Sequence, residues 1–180
     1  MSNPVEIDDL VVLLLGVKAA NSQPGEIQGV TRLEKLIFLI ERETNSKDWL
    51  DEDAKFEPYN FGPFSQRVYQ AVDTLSAAGL VTDSALLSQD ESDSWEKRHG
   101  IDDVATNSYV SRDFKLTERG WKYFDALSKE LPQNAIRELE EFKSRFASIP
   151  LRQLVRYVYQ RYDSFTTKSV IREDILGPDA

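Results

Sequence analysis

A mainly α-helical chain with one small β-hairpin is the fold class this sequence predicts, and three observations carry the prediction. Apolar residues recur at helical spacing along most of the 180 residues. Capping residues, glycine and proline punctuate those stretches about once per helix. Strand-like patterning is confined to the middle of the chain, where Leu80-Val81 and Tyr109 to Leu116 flank a polar stretch.

Each element has its own signal. Ile7 to Ala20 is apolar almost all round, which predicts a central buried helix. Asn21 to Gly29, with Pro24, Gly25 and Gly29, reads as a loop. Thr31, with Glu34 three residues on, has the spacing of a capping box and opens a second helix, whose stripe is Leu33, Leu36, Ile37 and Ile40. Lys47 to Lys55 reads as loop or a short polar helix, and its acidic residues Asp48 to Asp53 as solvated. Phe56 to Phe61 alternates as a short extended segment. Gly62-Pro63 is then expected to start a third helix, since proline's missing N–H costs nothing in a first turn. Val68, Val72 and Leu75 form the stripe of that helix, and Gly79 closes it. Thr117 caps the next helix, with Trp121, Phe124 and Leu127 inward. Another follows Pro132 with Ile136, Leu139, Phe142 and Phe146. Pro150 breaks it, and Leu151, Leu154, Val155, Val158 and Tyr162 mark the last. The sequence contains no internal repeat.

Three helices, a strand, a long acidic loop, a returning strand and a helix form the element order of a winged helix-turn-helix core. Ala77-Ala78-Gly79-Leu80-Val81 fits the turn from a recognition helix into a first wing strand. Phe114-Lys115-Leu116-Thr117-Glu118-Arg119-Gly120 fits the turn from the second wing strand into the following helix. The expected organisation is a winged-helix domain over residues 1–130, its acidic wing loop at about 83–108, and a C-terminal helical extension over 131–180.

Arg32-Leu33-Glu34-Lys35-Leu36-Ile37-Phe38-Leu39, followed by Tyr59-Asn60-Phe61-Gly62-Pro63-Phe64-Ser65, resembles the YwgA-type family of uncharacterised microbial winged-helix proteins. It is more distantly similar to the SocA-like (Panacea) antitoxin domain, which shares a KL…(Y/F)GP pattern. The resemblance covers roughly residues 5–130. It implies a winged-helix core without enzyme activity, used for DNA binding or protein recognition in a regulatory, toxin–antitoxin or defence setting.

Composition narrows the function. The net charge is −9, which argues against a generically basic nucleic-acid binder and against a polybasic membrane-surface protein. Residues 1–111 carry 9 basic and 20 acidic side chains, and residues 112–180 carry 13 and 11. A polyanion would therefore meet the C-terminal third, or a local patch, first. The absence of cysteine excludes disulfides, a thiolate nucleophile and Cys-based metal sites. The longest apolar run, Leu10 to Leu15, is too short to span a bilayer and lacks the flanks of a signal peptide, so a cytoplasmic setting is expected.

Two surfaces are candidates for recognition. In winged-helix geometry the third helix enters the major groove. Its outward residues would be Ser65, Gln66, Arg67, Tyr69 and Gln70, with Asp73 unfavourable near phosphate. Glutamine pairs bidentately with adenine, and arginine reaches guanine or phosphate. Lys97 and Arg98 are the basic candidates of the wing, set among acidic residues. On the last helix Arg152, Arg156 and Gln160 share one face. The apolar face formed by Leu151, Leu154, Val155, Val158 and Tyr162 must be covered, by the chain's own core or by a second copy in a homodimer.

Catalytic readings are weak. The lone histidine, His99, precludes a His-based triad or metal pair. Asp53-Ala54-Lys55 has the D-x-K spacing of some metal-dependent nucleases but lies in an acidic loop rather than on a strand. No glycine-rich phosphate loop is present. The expectation is therefore no catalytic residue, metal or cofactor. The intact wing and the Gln/Arg face point to a winged-helix regulator that binds double-stranded DNA; the alternative, which the acidic charge favours, is a protein-interaction module such as an antitoxin or adaptor that does not bind DNA itself.

Overall fold

The computed structural model describes residues 3–59, 62–84, 113–169 and 171–177. At its centre is α1 (Ile7–Gly16), of which every residue except Asp8 is buried. The Glu6 N–H donates to Asp9 Oδ2 at 2.9 Å and closes the start of the helix. The helix ends at Gly16, four residues before the expected end. A Cβ on Gly16 would stand 2.4 Å from the Phe124 ring, and Val17 is already extended.

The remaining elements are β1 (Glu26–Gln28), α2 (Val30–Glu43), β2 (Glu57–Tyr59), β3 (Gly62–Phe64), α3 (Gln66–Ala77), β4 (Val81–Asp83), β5 (Asp113–Leu116), α4 (Glu118–Glu130), α5 (Gln133–Phe146), α6 (Leu151–Arg161) and α7 (Arg172–Leu176). The fold is mainly helical with a small antiparallel sheet of order β1-β5-β4 and a separate β2–β3 hairpin. α3, α4, α5 and the sheet touch α1, while α6 lies on α2 and α7. The apolar core is continuous across Glu130: Leu10, Leu13 and Phe38 share it with Leu139, Leu154 and Val158. The Lys143 ammonium of α5, 1% exposed, donates to the carbonyls of Leu15 and Val17 at the end of α1, at 2.7 and 3.0 Å. Burial lowers its pKa to about 8.

Several local expectations are corrected. The segment read as loop between α1 and α2 contains β1, paired Ile27 to Phe114 in the sheet. Gly29 at φ +90°, rather than Thr31, precedes the first turn of α2, and Thr31 and Glu34 are buried. The capping box does not form, because the Glu34 carboxylate is occupied by Lys35 and by the Ser65 N–H. Gly62-Pro63 starts no helix: Pro63 faces Pro58 in the β2–β3 ladder. Neither ring can donate to a ladder, which suits a two-stranded hairpin with no further neighbours. Gly62, at φ +88°, leaves no room for a Cβ, which would lie 2.6 Å from the Tyr159 ring. After the last expected helix the chain continues through a 3-10 turn, Asp163–Phe165, into α7. The boundaries at Gly79, Thr117, Pro132 and Pro150 agree with the sequence reading.

Candidate interaction site at the start of α3

The start of α3 is set by residues distant in sequence. Ser65, the N-cap, is fully buried: its Oγ donates to the Ala54 carbonyl at 2.6 Å and accepts the Val68 N–H at 3.2 Å. Just beneath, the buried Lys35 ammonium bridges Glu34 Oε1 at 2.9 Å and the Pro63 carbonyl at 2.8 Å. Desolvation raises the Glu34 carboxyl above its usual range despite Lys35 and the Ser65 N–H. The Lys35-Leu36 and Gly62-Pro63 pairs of the sequence pattern thus meet in space, and their meeting fixes the hairpin that delivers α3.

Arg67 is the only basic residue of α3, and it is closed off. Its guanidinium holds Glu52 bidentately, Nε to Oε1 at 2.5 Å and Nη2 to Oε2 at 3.2 Å, and reaches Asp8 Oδ1 with Nη1 at 2.8 Å. These pairs keep the Glu52 carboxyl below the usual range. Glu52 Oε2 also accepts the Ile7 N–H at 2.8 Å, and Asp51 Oδ2 accepts the Val5 N–H at 2.8 Å. The acidic segment expected to be solvated is therefore tied to the N-terminus of α1, where carboxylates are favoured by the helix dipole. Burial raises Glu41, whose Oε1 accepts the Ala54 N–H at 3.0 Å, to about 7.

Together these segments form an open groove lined by Asp51, Glu52, Asp53, Lys55, Glu57 and, from α3, Gln66, Arg67 and Gln70. Gln66 and Gln70 are exposed one turn apart, and Asp73 is exposed on the same helix. Tyr69 is half-buried, its ring 5.5 Å from Phe64, which lies 4.9 Å from Tyr59. The aromatic residues here pack on one another at the junction of the hairpin with α3. Of the proposed base-reading set, the structure leaves Gln66 and Gln70 outward, encloses Ser65 and commits Arg67 to carboxylates. Lys97, Arg98 and nearly all of the loop at about 83–108 lie outside the described residues.

The D-x-K triplet is a tight turn: the Lys55 N–H donates to Asp53 Oδ1 at 2.6 Å, and Lys55 adopts φ +55°. Among the described residues no group of three or more His, Asp or Glu is arranged to hold a metal ion, and no helix is long and apolar enough to cross a membrane.

The second candidate surface resolves differently. Leu151, Leu154, Val155 and Val158 are at most 1% exposed, and the half-buried Tyr162 ring meets Phe38 edge-on at 5.1 Å. The stripe singled out for dimerisation is covered by the chain's own core. Sequence reasoning missed Glu52 and Asp8 as partners of Arg67, because no local pattern pairs them. It also assigned Glu34 to a cap. No protein-family model matches the chain, and no curated protein matches it.

Proposed function

We propose that this chain is a protein-interaction module, an antitoxin or adaptor built on a winged-helix core, and that α3 is not a DNA-reading helix. The order α1-β1-α2-β2-β3-α3-β4-β5, with sheet order β1-β5-β4 and the β2–β3 hairpin inserted between the second and third helices, supports the winged-helix core. The observation that carries the functional reading is the closure of Arg67 by Glu52 and Asp8. DNA affinity rests first on neutralising phosphates. A face whose single arginine is neutralised, and on which Asp51, Asp53 and Glu57 outnumber Lys55, repels a phosphate backbone instead.

A second reading, the DNA-binding regulator, is favoured by the exposed pair Gln66 and Gln70. Gel retardation of the full chain on its own upstream duplex, at about 50 mM salt where electrostatic binding is strongest, separates the two. The interaction-module reading expects no retardation. A shift that Gln66→Ala with Gln70→Ala abolishes, at unchanged melting temperature, would overturn it in favour of the regulator.

A further inference from the structure

We propose that the outer face of α6 docks an acidic protein segment, a proposal that rests on the interaction-module reading. The inner face of α6 is consumed by the core, with Leu151, Leu154, Val155, Val158 and Tyr159 buried. The outer arc exposes Arg152, Gln153, Arg156, Gln160 and Arg161, and the helix carries no acidic residue. In a chain of net charge −9 this is a concentrated positive surface.

Its guanidinium groups are positioned. The rings of Phe146 and Tyr157 stand 5.3 Å apart. Arg161 lies over Tyr157 at 4.6 Å, and Arg145 of α5 lies over Phe146 at 4.7 Å. Stacking of this kind holds the planar forks in place while leaving their N–H edges to solvent. Internal ion pairs engage Arg152 and Arg161, both of which stay about half exposed. Arg152 donates to the Asp174 carbonyl at 2.6 Å, with the Asp174 carboxylate 4.0 Å away, and Arg161 is 3.7 Å from Glu43. Arg156 pairs with no carboxylate among the described residues.

The charge identifies the occupant. Planar guanidinium forks one turn apart match carboxylates bidentately, and a short acidic segment meets them without covering the rest of the molecule. A duplex is disfavoured, since its phosphates extend past these arginines over an acidic body and its affinity scales with the number of phosphates neutralised. Single-stranded nucleic acid needs exposed rings for stacking, and among the described residues the one large exposed hydrophobic side chain is Tyr123, on α4. A lipid surface needs an exposed apolar face, and that of α6 is buried.

The test is fluorescence anisotropy of the full chain with a labelled oligo-glutamate peptide of about ten residues, beside an oligo-glutamine peptide and a 20-base-pair duplex, at about 50 mM salt. The expected result is saturable binding of the glutamate peptide alone, weakened at least about tenfold in Arg152→Glu with Arg156→Glu at unchanged melting temperature. If that pair unfolds, Arg156→Glu alone serves, since it breaks no ion pair among the described residues, with a loss of about threefold expected. No binding of the glutamate peptide, or binding indifferent to these substitutions, overturns the proposal. Tighter binding of the duplex, lost in the same variants, overturns it in favour of a nucleic-acid surface. Failure of the peptide without retardation of the upstream duplex removes the α6 surface and leaves the interaction module standing. A duplex shift lost with Gln66 and Gln70 removes the module itself.

Discussion

Lys35 and Glu34, adjacent in sequence, form an ion pair at 2.9 Å with side chains 1% and 5% exposed, and the same ammonium holds the Pro63 carbonyl 28 positions away. Neighbouring helix residues point in different directions, so such a pair forms only where both side chains are bent towards one enclosed polar centre. That centre is the joint between α2, the β2–β3 hairpin and the cap of α3.

Removing one charge from this joint is expected to be costly. Lys35→Met leaves Glu34 buried without its counter-charge and should destabilise the chain by about 3–5 kcal/mol. Lys35→Met with Glu34→Gln should recover part of that loss. Denaturant unfolding of the single and double variants measures the coupling; additive losses would contradict the pair.

Glu41 makes stability depend on pH. Its folded-state pKa of about 7 lies above the ordinary 4.5, so the folded protein binds the proton more tightly than the unfolded chain. The resulting stabilisation is complete below about pH 4.5 and is lost as pH rises through about 7. Discounted for solvent screening, the loss is about 1–2 kcal/mol. Glu41→Gln should flatten the stability profile between pH 4.5 and 7 relative to the parent chain. A profile of unchanged slope would show that the carboxyl is not held as described.

Arg67→Ala should free Glu52 and Asp8 while leaving α3 helical, because the cap is supplied by Ser65. The guanidinium and both carboxylates are about a quarter exposed, so the expected cost is about 1–2 kcal/mol, smaller at high salt. Glu52 then titrates at higher pH. In the parent chain its lowered pKa contributes stability above the ordinary carboxylate range that is lost on acidification, and this contribution should shrink in the variant. Carbon-detected NMR titration of Glu52 reads the change directly.

Gly120→Ala tests the packing of the sheet against α4. An added Cβ would lie 2.0 Å from the Leu80 carbonyl oxygen, a backbone atom with no rotamer to yield. A loss of about 2–4 kcal/mol is expected by thermal melting. A variant as stable as the parent would mean that α4 starts elsewhere on the sheet.

Local pattern placed every helix from α1 to α6, and many of their ends, but not the short α7. Periodicity placed the inner faces of α3, α5 and α6, and Thr117, Pro132 and Pro150 marked boundaries through local chemistry. It also determined that Gln66 and Gln70 point outward, since they oppose the buried Val68 and Val72. The partners of charged side chains were decided by the tertiary structure alone. Arg67 reaches Asp8 across 59 positions, and Ser65 reaches Ala54 across 11. The same holds for β1, whose three residues become a strand because β5 supplies its ladder bonds from nearly ninety positions away, and for Gly62-Pro63, bent into a hairpin by Lys35 and Tyr159. Helical periodicity is written within a turn or two of chain. A charge finds its partner, and a short strand its neighbour, only once the core has brought distant segments together and water has been excluded between them.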